Sequence, residues 1–339
     1  MGLAVQKKGR LEFLDIAKGI GILLVVWAHA KGPFTSYMYQ FHMPLFFLIS
    51  GYLFNSKNTP KQFIIKKIQS LYIPFVVWNI LSVVLRSVFH IREYTGSYFW
   101  KKIIRIMLTL DKDGDFFGAT WFLGALFLVS VCYKLMDYYI PCVKSKSIIL
   151  ALLFGSVAIL GFEVTFPYLM SRTMILSFFF AVGRAIKDWK EQLSVYDTRV
   201  LFSFSVLIFI VIGYYNSINM GANKYSYPIL FVIGAFFASY ATVYISKIVE
   251  RRTVRIKNIL SFLGEKSIHI VIWQFVAFRI VAVIQLYMDQ VPVSQMMDFY
   301  PPYKTTGGLW IIYTVVGLAV PVPIGEITSG LSRIVMRRK

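Results

Sequence analysis

Ten stretches of this chain are apolar over enough residues to reach across, or most of the way across, a lipid bilayer: about 13–30, 41–54, 71–90, 119–138, 148–162, 173–187, 200–215, 227–246, 259–286 and 308–332. A helix rises about 1.5 Å per residue and the hydrocarbon core is about 30 Å thick, so about 20 apolar residues span it. In that solvent a lipid-facing segment must satisfy its own backbone, which leaves helices for runs of this kind. The reading is an all-α polytopic membrane protein, one domain over 1–339, with about ten transmembrane helices. Stretches 41–54 and 148–162 are short. Stretch 259–286 is long and carries Arg279, so it is expected to tilt, kink or end early.

Composition agrees: 57% of residues are hydrophobic and 15% charged, which excludes an ordinary soluble domain. A net charge of +20 would suggest nucleic acid in a soluble protein. Here it fits the Lys and Arg excess of cytoplasmic loops, and the expected partner is the bilayer, with no nucleic acid. With the N-terminus inside, inner segments hold 23 Lys and Arg and outer loops nine, and both termini lie in the cytoplasm. The basic start (Lys7, Lys8, Arg10) followed by an apolar run looks like a signal peptide, but Asp15 and Lys18 interrupt it. It reads as a retained first helix. Cys132 and Cys142 have no metal-ligand company, and neither a disulfide nor a metal is expected.

Segment 91–118 holds Trp100, Lys101, Lys102 and Arg105, the pattern of an interfacial amphipathic helix at about 97–110. The acidic run DKDGD that follows lacks the closing Glu of a calcium loop and reads as a solvated turn. The outer loop 287–307 is either a lid or a connection.

Ionisable groups inside hydrocarbon are costly and mark function. Asp15, Lys18 and His29 fall on one helical stripe, with Lys18 and His29 about 16 Å apart along the axis. An imidazole there can take a proton from a hydroxyl and return it to a leaving group. The same stripe suits a proton relay in a transporter equally well. In the second stretch His42 sits at the outer mouth, and Ser50-Gly51 permits close backbone approach. No Gly-x-Ser-x-Gly elbow surrounds Ser50, which argues against a serine nucleophile.

The segments LDIAKGIGILLVVWAH and FHMPLFFLISGYLF resemble the first two helices of the acyltransferase type 3 family of integral membrane O-acyltransferases, nearest its fucose 4-O-acetylase branch. KKIQSLYIPFVVW, ATWFLGALF, FFFAVGRAIK and LSFLGEKSIHIVIWQF resemble later segments, so the likeness runs over nearly the whole chain. The resemblance implies ten helices and transfer of an acetyl group from acetyl-CoA to a sugar hydroxyl in a bacterial plasma membrane. It implies that His29 is the catalytic base, with Lys18 and Asp15 in the polar site beneath it. It departs at Gln274, where the family often has histidine; Gln bonds but carries no proton.

On this reading coenzyme A meets Lys61, Lys66 and Lys67 on the inner side, and the sugar meets His42, Ser50, Trp121, Arg172 and Gln274 on the outer side. Trp121 serves equally as an interfacial anchor. The rival is a multi-pass transporter or flippase of a glycan or small solute using the Asp15/Lys18/His29 track.

Overall fold

In the computed structural model residues 11–89, 96–110, 114–141, 143 and 145–337 are described. The helices are α1 (Glu12–His29), α2 (Thr35–Tyr39), α3 (His42–Tyr52), α4 (Pro60–Lys67), α5 (Ile73–Phe89), α6 (Gly96–Thr109), α7 (Gly114–Phe117), α8 (Trp121–Tyr139) and α9 (Lys146–Glu163). They continue with α10 (Met170–Asp188), α11 (Lys190–Leu193), α12 (Arg199–Tyr215), α13 (Pro228–Arg252), α14 (Val254–Glu265), α15 (Ser267–Met288), α16 (Leu309–Ala319) and α17 (Pro321–Arg337). A two-stranded antiparallel hairpin, β1 (Ile218–Asn219) and β2 (Lys224–Tyr225), pairs Ile218 with Tyr225 and Asn219 with Lys224.

Among the described residues six helical segments are long and apolar enough to cross a membrane: Pro60–Val88, Gly118–Tyr139, Lys146–Glu163, Pro228–Arg252, Ser267–Met288 and Leu309–Gly330. The other four sequence stretches fall short of that measure for visible reasons. Helix α1 carries Glu12, Asp15 and Lys18; α3 has 11 residues; α10 carries Arg172, Arg184, Lys187 and Asp188. Helix α12 has 17 residues and counts as a seventh span when joined to the segment before it, from which it bends by 82°. The long ninth stretch breaks at Lys266, so its first part, α14, is a separate 12-residue helix.

Local sequence sets several of these limits. Thr59 and Gln62 form a capping box that starts α4, with Pro60 in the first turn. Between α4 and α5 the chain widens into a π-turn over Ile68–Tyr72. Pro74 has no N–H to offer the Ser70 carbonyl, and the wider turn carries the rod past that gap.

The amphipathic reading of 97–110 corresponds to α6, whose Trp100 and Leu108 are exposed. It packs on α5, and the hydroxyl of Tyr72, at the end of the π-turn before α5, donates to the Met107 carbonyl at 2.8 Å. Asp111 and Asp113 lie outside the described residues. The chain on both sides of them turns inward, with Leu110 and Phe117 buried and the Phe117 ring between those of Trp78 and Trp273, at 5.5 and 5.4 Å.

Helix α1 is the centre of the bundle and packs against α3, α13, α14, α15 and α16. Two of its surroundings are backbone-to-backbone crossings. A Cβ on Gly19 would stand 1.9 Å from the Leu260 carbonyl oxygen, and one on Gly264 1.9 Å from that of Asp15, which joins α1 to α14. A Cβ on Gly51 would stand 1.9 Å from the Phe180 oxygen, and one on Gly183 2.0 Å from that of Leu48, which joins α3 to α10. Gly51 thus does what its sequence context suggested. Gly51→Ala is expected to destabilise the fold by about 1–3 kcal/mol through overpacking. Gly155→Ala, whose nearest neighbour is 3.4 Å away, is the matched control. Thermal midpoints in detergent compare the two.

Candidate active site

His29 ends α1 and His42 begins α3, and the short helix α2 folds between them. Both imidazoles line one cavity of about 360 Å³. Tyr39 stands between them, its ring 6.2 Å from that of His29 and 5.5 Å from that of His42. The His29 ring also meets the Phe275 ring at 5.0 Å. His42 is buried, and its Nδ1 lies 2.5 Å from the Met38 carbonyl oxygen. A carbonyl can only accept, so Nδ1 carries the proton and Nε2 keeps its lone pair. The Tyr39 hydroxyl donates to Ala28 O at 3.4 Å, and burial pushes its phenol up, so Tyr39 is a neutral group between two bases.

The rest of the wall comes from distant parts of the chain. Trp121 starts α8, Asn219 and Gly221 belong to the hairpin, and Tyr300 belongs to the loop after α15. That loop is tied down from below. The Arg279 guanidinium donates to the Met296 carbonyl and lies 4.8 Å over the Phe116 ring. Gln285 Nε2 donates to Lys304 O at 3.0 Å, and its Oε1 accepts from the Tyr313 hydroxyl at 2.7 Å and from Lys304 N at 3.3 Å. Lys304 pairs with Asp289 at 2.7 Å, a hydrogen bond that raises the lysine's pKa. The loop therefore covers the cavity with Tyr300 and is fixed at its far side.

The structure gathers some of the sequence candidates and leaves others apart. Trp121 lines the cavity, and Arg172 stands behind it, 5.1 Å from its ring, donating to Gly221 O at 2.9 Å. Gln274 is fully buried one turn beyond Val271, which lines the cavity, and its Oε1 has no partner among the described residues. Ser50 lies eight residues along α3 from His42, about 12 Å away, and is half-exposed outside the cavity. Lys18 and Asp15 form an ion pair at 2.6 Å toward the other end of α1 and do not line the cavity. Lys61 and Lys66 are exposed on α4, and Lys67 lies 5.4 Å over the Phe63 ring.

Sequence reasoning missed Tyr39, Asn219 and Tyr300. Only Tyr39 left a local signal, three residues before His42. It also missed a second cavity of about 420 Å³ at the other end of α8, where Lys57, Lys134, Lys146 and Arg184 meet Asp137 and Asp188. Rings of Phe54, Tyr133 and Phe180, 5.0–6.0 Å apart, pack beside it.

The structure is thus a helical bundle with two histidines in one cavity walled in part by aromatic side chains. The comparisons place it further. The family model described as "Acyltransferase domain" matches residues 11–326, and the chain belongs to that family. The chain thus carries an acyltransferase domain, which favours the acyl-transfer reading of the stripe over the transporter one. It is similar to the nodulation protein NolL of Sinorhizobium fredii, 27% identical over 214 residues, covering 56% of this chain and 53% of that protein. It is also similar to the nodulation protein NolL of Mesorhizobium japonicum, 27% identical over 143 residues, covering 37% of this chain and 35% of that protein. The chain thus spans about half the length or less of these curated relatives. No solved structure matches.

Gln285→Leu would take the acceptor from the Tyr313 hydroxyl and both side-chain partners from Lys304 N and O, at an expected cost of about 1–3 kcal/mol. Limited proteolysis should then cut between residues 289 and 308 faster than in the parent protein.

Proposed function

We propose that this protein is a membrane O-acetyltransferase. It moves an acetyl group from cytoplasmic acetyl-CoA to a hydroxyl of a cell-surface polysaccharide or lipid-linked sugar, such as a capsule or O-antigen unit, with His29 as general base. The observation that carries this is the shared cavity of His29 and His42, two imidazoles facing one enclosed space within an acyltransferase. The proposed setting is a bacterial inner membrane. There α1, α3, α10 and α12 join the six long segments to give ten spans with both termini in the cytoplasm, which puts His29 in the outer half.

In the reaction the acceptor hydroxyl gives its proton to His29 as its oxygen attacks the thioester carbonyl. The tetrahedral intermediate collapses with breakage of the carbon–sulfur bond, and His29 returns the proton to the departing thiolate. The positive charge that develops on His29 meanwhile faces the C-terminal carbonyls of α1. His42, with Nδ1 committed to Met38, offers Nε2 as a second acceptor of hydrogen bonds from the sugar. It takes the place that Gln274 leaves empty of a second titratable group. Tyr39 and Trp121 supply the faces against which a sugar ring packs. On the inner side Lys61 in the first turn of α4 and Lys66 and Lys67 in its last turn meet the phosphates of coenzyme A as point charges.

His29→Ala is expected to lower acetyl transfer about 10²–10⁴-fold while the protein elutes as the parent does on gel filtration. Purified protein, radiolabelled acetyl-CoA and membrane glycan make the assay; parental activity in the variant would remove His29 from the mechanism. Joint replacement of Lys61, Lys66 and Lys67 by Ala is expected to raise KM for acetyl-CoA and leave kcat near its parental value. An unchanged KM would move the donor site elsewhere.

A further inference from the structure

The buried Lys134 has the Asp137 carboxylate 3.7 Å away, and the half-buried Lys18 has that of Asp15 at 2.6 Å. Arg172 is placed differently. It is 9% exposed, and among the described residues no carboxylate pairs with it. Its Nη2 is used on Gly221 O, and its Nη1 is buried without a hydrogen-bond partner among the described residues. A guanidinium keeps its charge in proteins, so neutralisation offers no escape. Arg172 also stands in the first turn of α10, where the helix dipole adds positive potential rather than compensating it. An uncompensated buried charge is costly, and a bound counter-ion removes that cost.

The neighbourhood points the same way. The Tyr225 hydroxyl is buried without a partner and feels the Arg172 charge. Burial pushes its phenol up, so it is a neutral donor. Tyr225 pairs across the hairpin with Ile218, which lines the His29 cavity, as do Trp121 and Gly221, the two groups that Arg172 touches. Among the described residues no carboxylate lines that cavity.

We infer that the acceptor carries an anionic group, a carboxylate or a phosphate, which pairs with Arg172 and accepts from Tyr225 while the hydroxyl to be acylated lies at His29. This rests on the acetyl-transfer reading and adds the charge of the acceptor to it. The source membrane glycan is divided into three portions: untreated, carboxyl-reduced, and stripped of phosphate with hydrogen fluoride. Each is incubated with the purified protein and radiolabelled acetyl-CoA. Label lost on carboxyl reduction identifies a carboxylate, and label lost on phosphate removal identifies a phosphate. Equal label in all three overturns the inference and leaves the acetyl-transfer reading standing. Label in none sinks the acetyl-transfer reading itself, and this inference with it.

On the untreated glycan, Arg172→Gln is expected to raise KM for the acceptor at least tenfold, with KM for acetyl-CoA unchanged and Arg172→Lys in between. Tyr225→Phe, which keeps the ring, should raise the acceptor KM alone by a smaller factor. A purely structural Arg172 would instead lower folded yield or disturb both substrates, and parental acceptor KM in both Arg172→Gln and Tyr225→Phe overturns the assignment.

Discussion

Lipid tails are as apolar as leucine side chains, so the hydrophobic effect does not press membrane helices together. Close packing must do it, and here it acts where glycine lets two backbones touch. Gly19 and Gly264 bring α1 against α14, and Gly51 and Gly183 bring α3 against α10. Each contact is reciprocal: a glycine on either helix faces a carbonyl of the other. The two helices held in this way are the two that carry His29 and His42. Any side chain at these crossings would move a histidine-bearing helix bodily, because a rigid rod transmits a displacement along its length.

The site follows from those fixed helices. Helices α1 and α3 run in opposite directions, so the end of one and the start of the other meet at the same end of the bundle, with α2 as the link. The chain then closes that end twice, with the 218–225 hairpin and with the loop after α15. Neither cover has a core of its own. The hairpin is held through Arg172 to Gly221, and the loop through Arg279 and the Gln285–Tyr313 network. Polar residues inside α10, α15 and α16 therefore serve as fasteners for irregular chain, which can sit at this depth only where it lines a cavity.

How much of this could be read in advance depended on range. The tight approach at Gly51 is local, set by side-chain size, and appears where the residues placed it; among the described residues six of the ten apolar stretches hold helices long and apolar enough to span a bilayer. The motif pair 14–29 and 41–54 led to the right family because both segments are contiguous in sequence. The break at Lys266 was hidden, since the run is apolar on both sides and only packing of α14 across α1 shows that it ends there. That His42 shares a cavity with His29, and that Tyr300 roofs it, are contacts between residues up to 271 positions apart, and no local pattern encodes them. The contact of Arg172 with the hairpin was beyond reach for the same reason.

The stripe also means something different in three dimensions. Asp15 and Lys18 are about 16 Å or more down the helix from His29, too far to touch atoms reacting there. They stand instead at the α1–α14 crossing: the Asp15 carbonyl is the one that Gly264 meets, and Gly19, next to Lys18, meets Leu260. The Asp15 side chain is buried there, and its partner at 2.6 Å lets it be so without an open charge. Removing Lys18 would take an ion-pair partner from a carboxylate buried at the point where two backbones are in contact. The polar track therefore divides into two tasks on one helix. Its lower end secures the crossing that fixes α1, and its upper end presents the imidazole whose position that crossing determines.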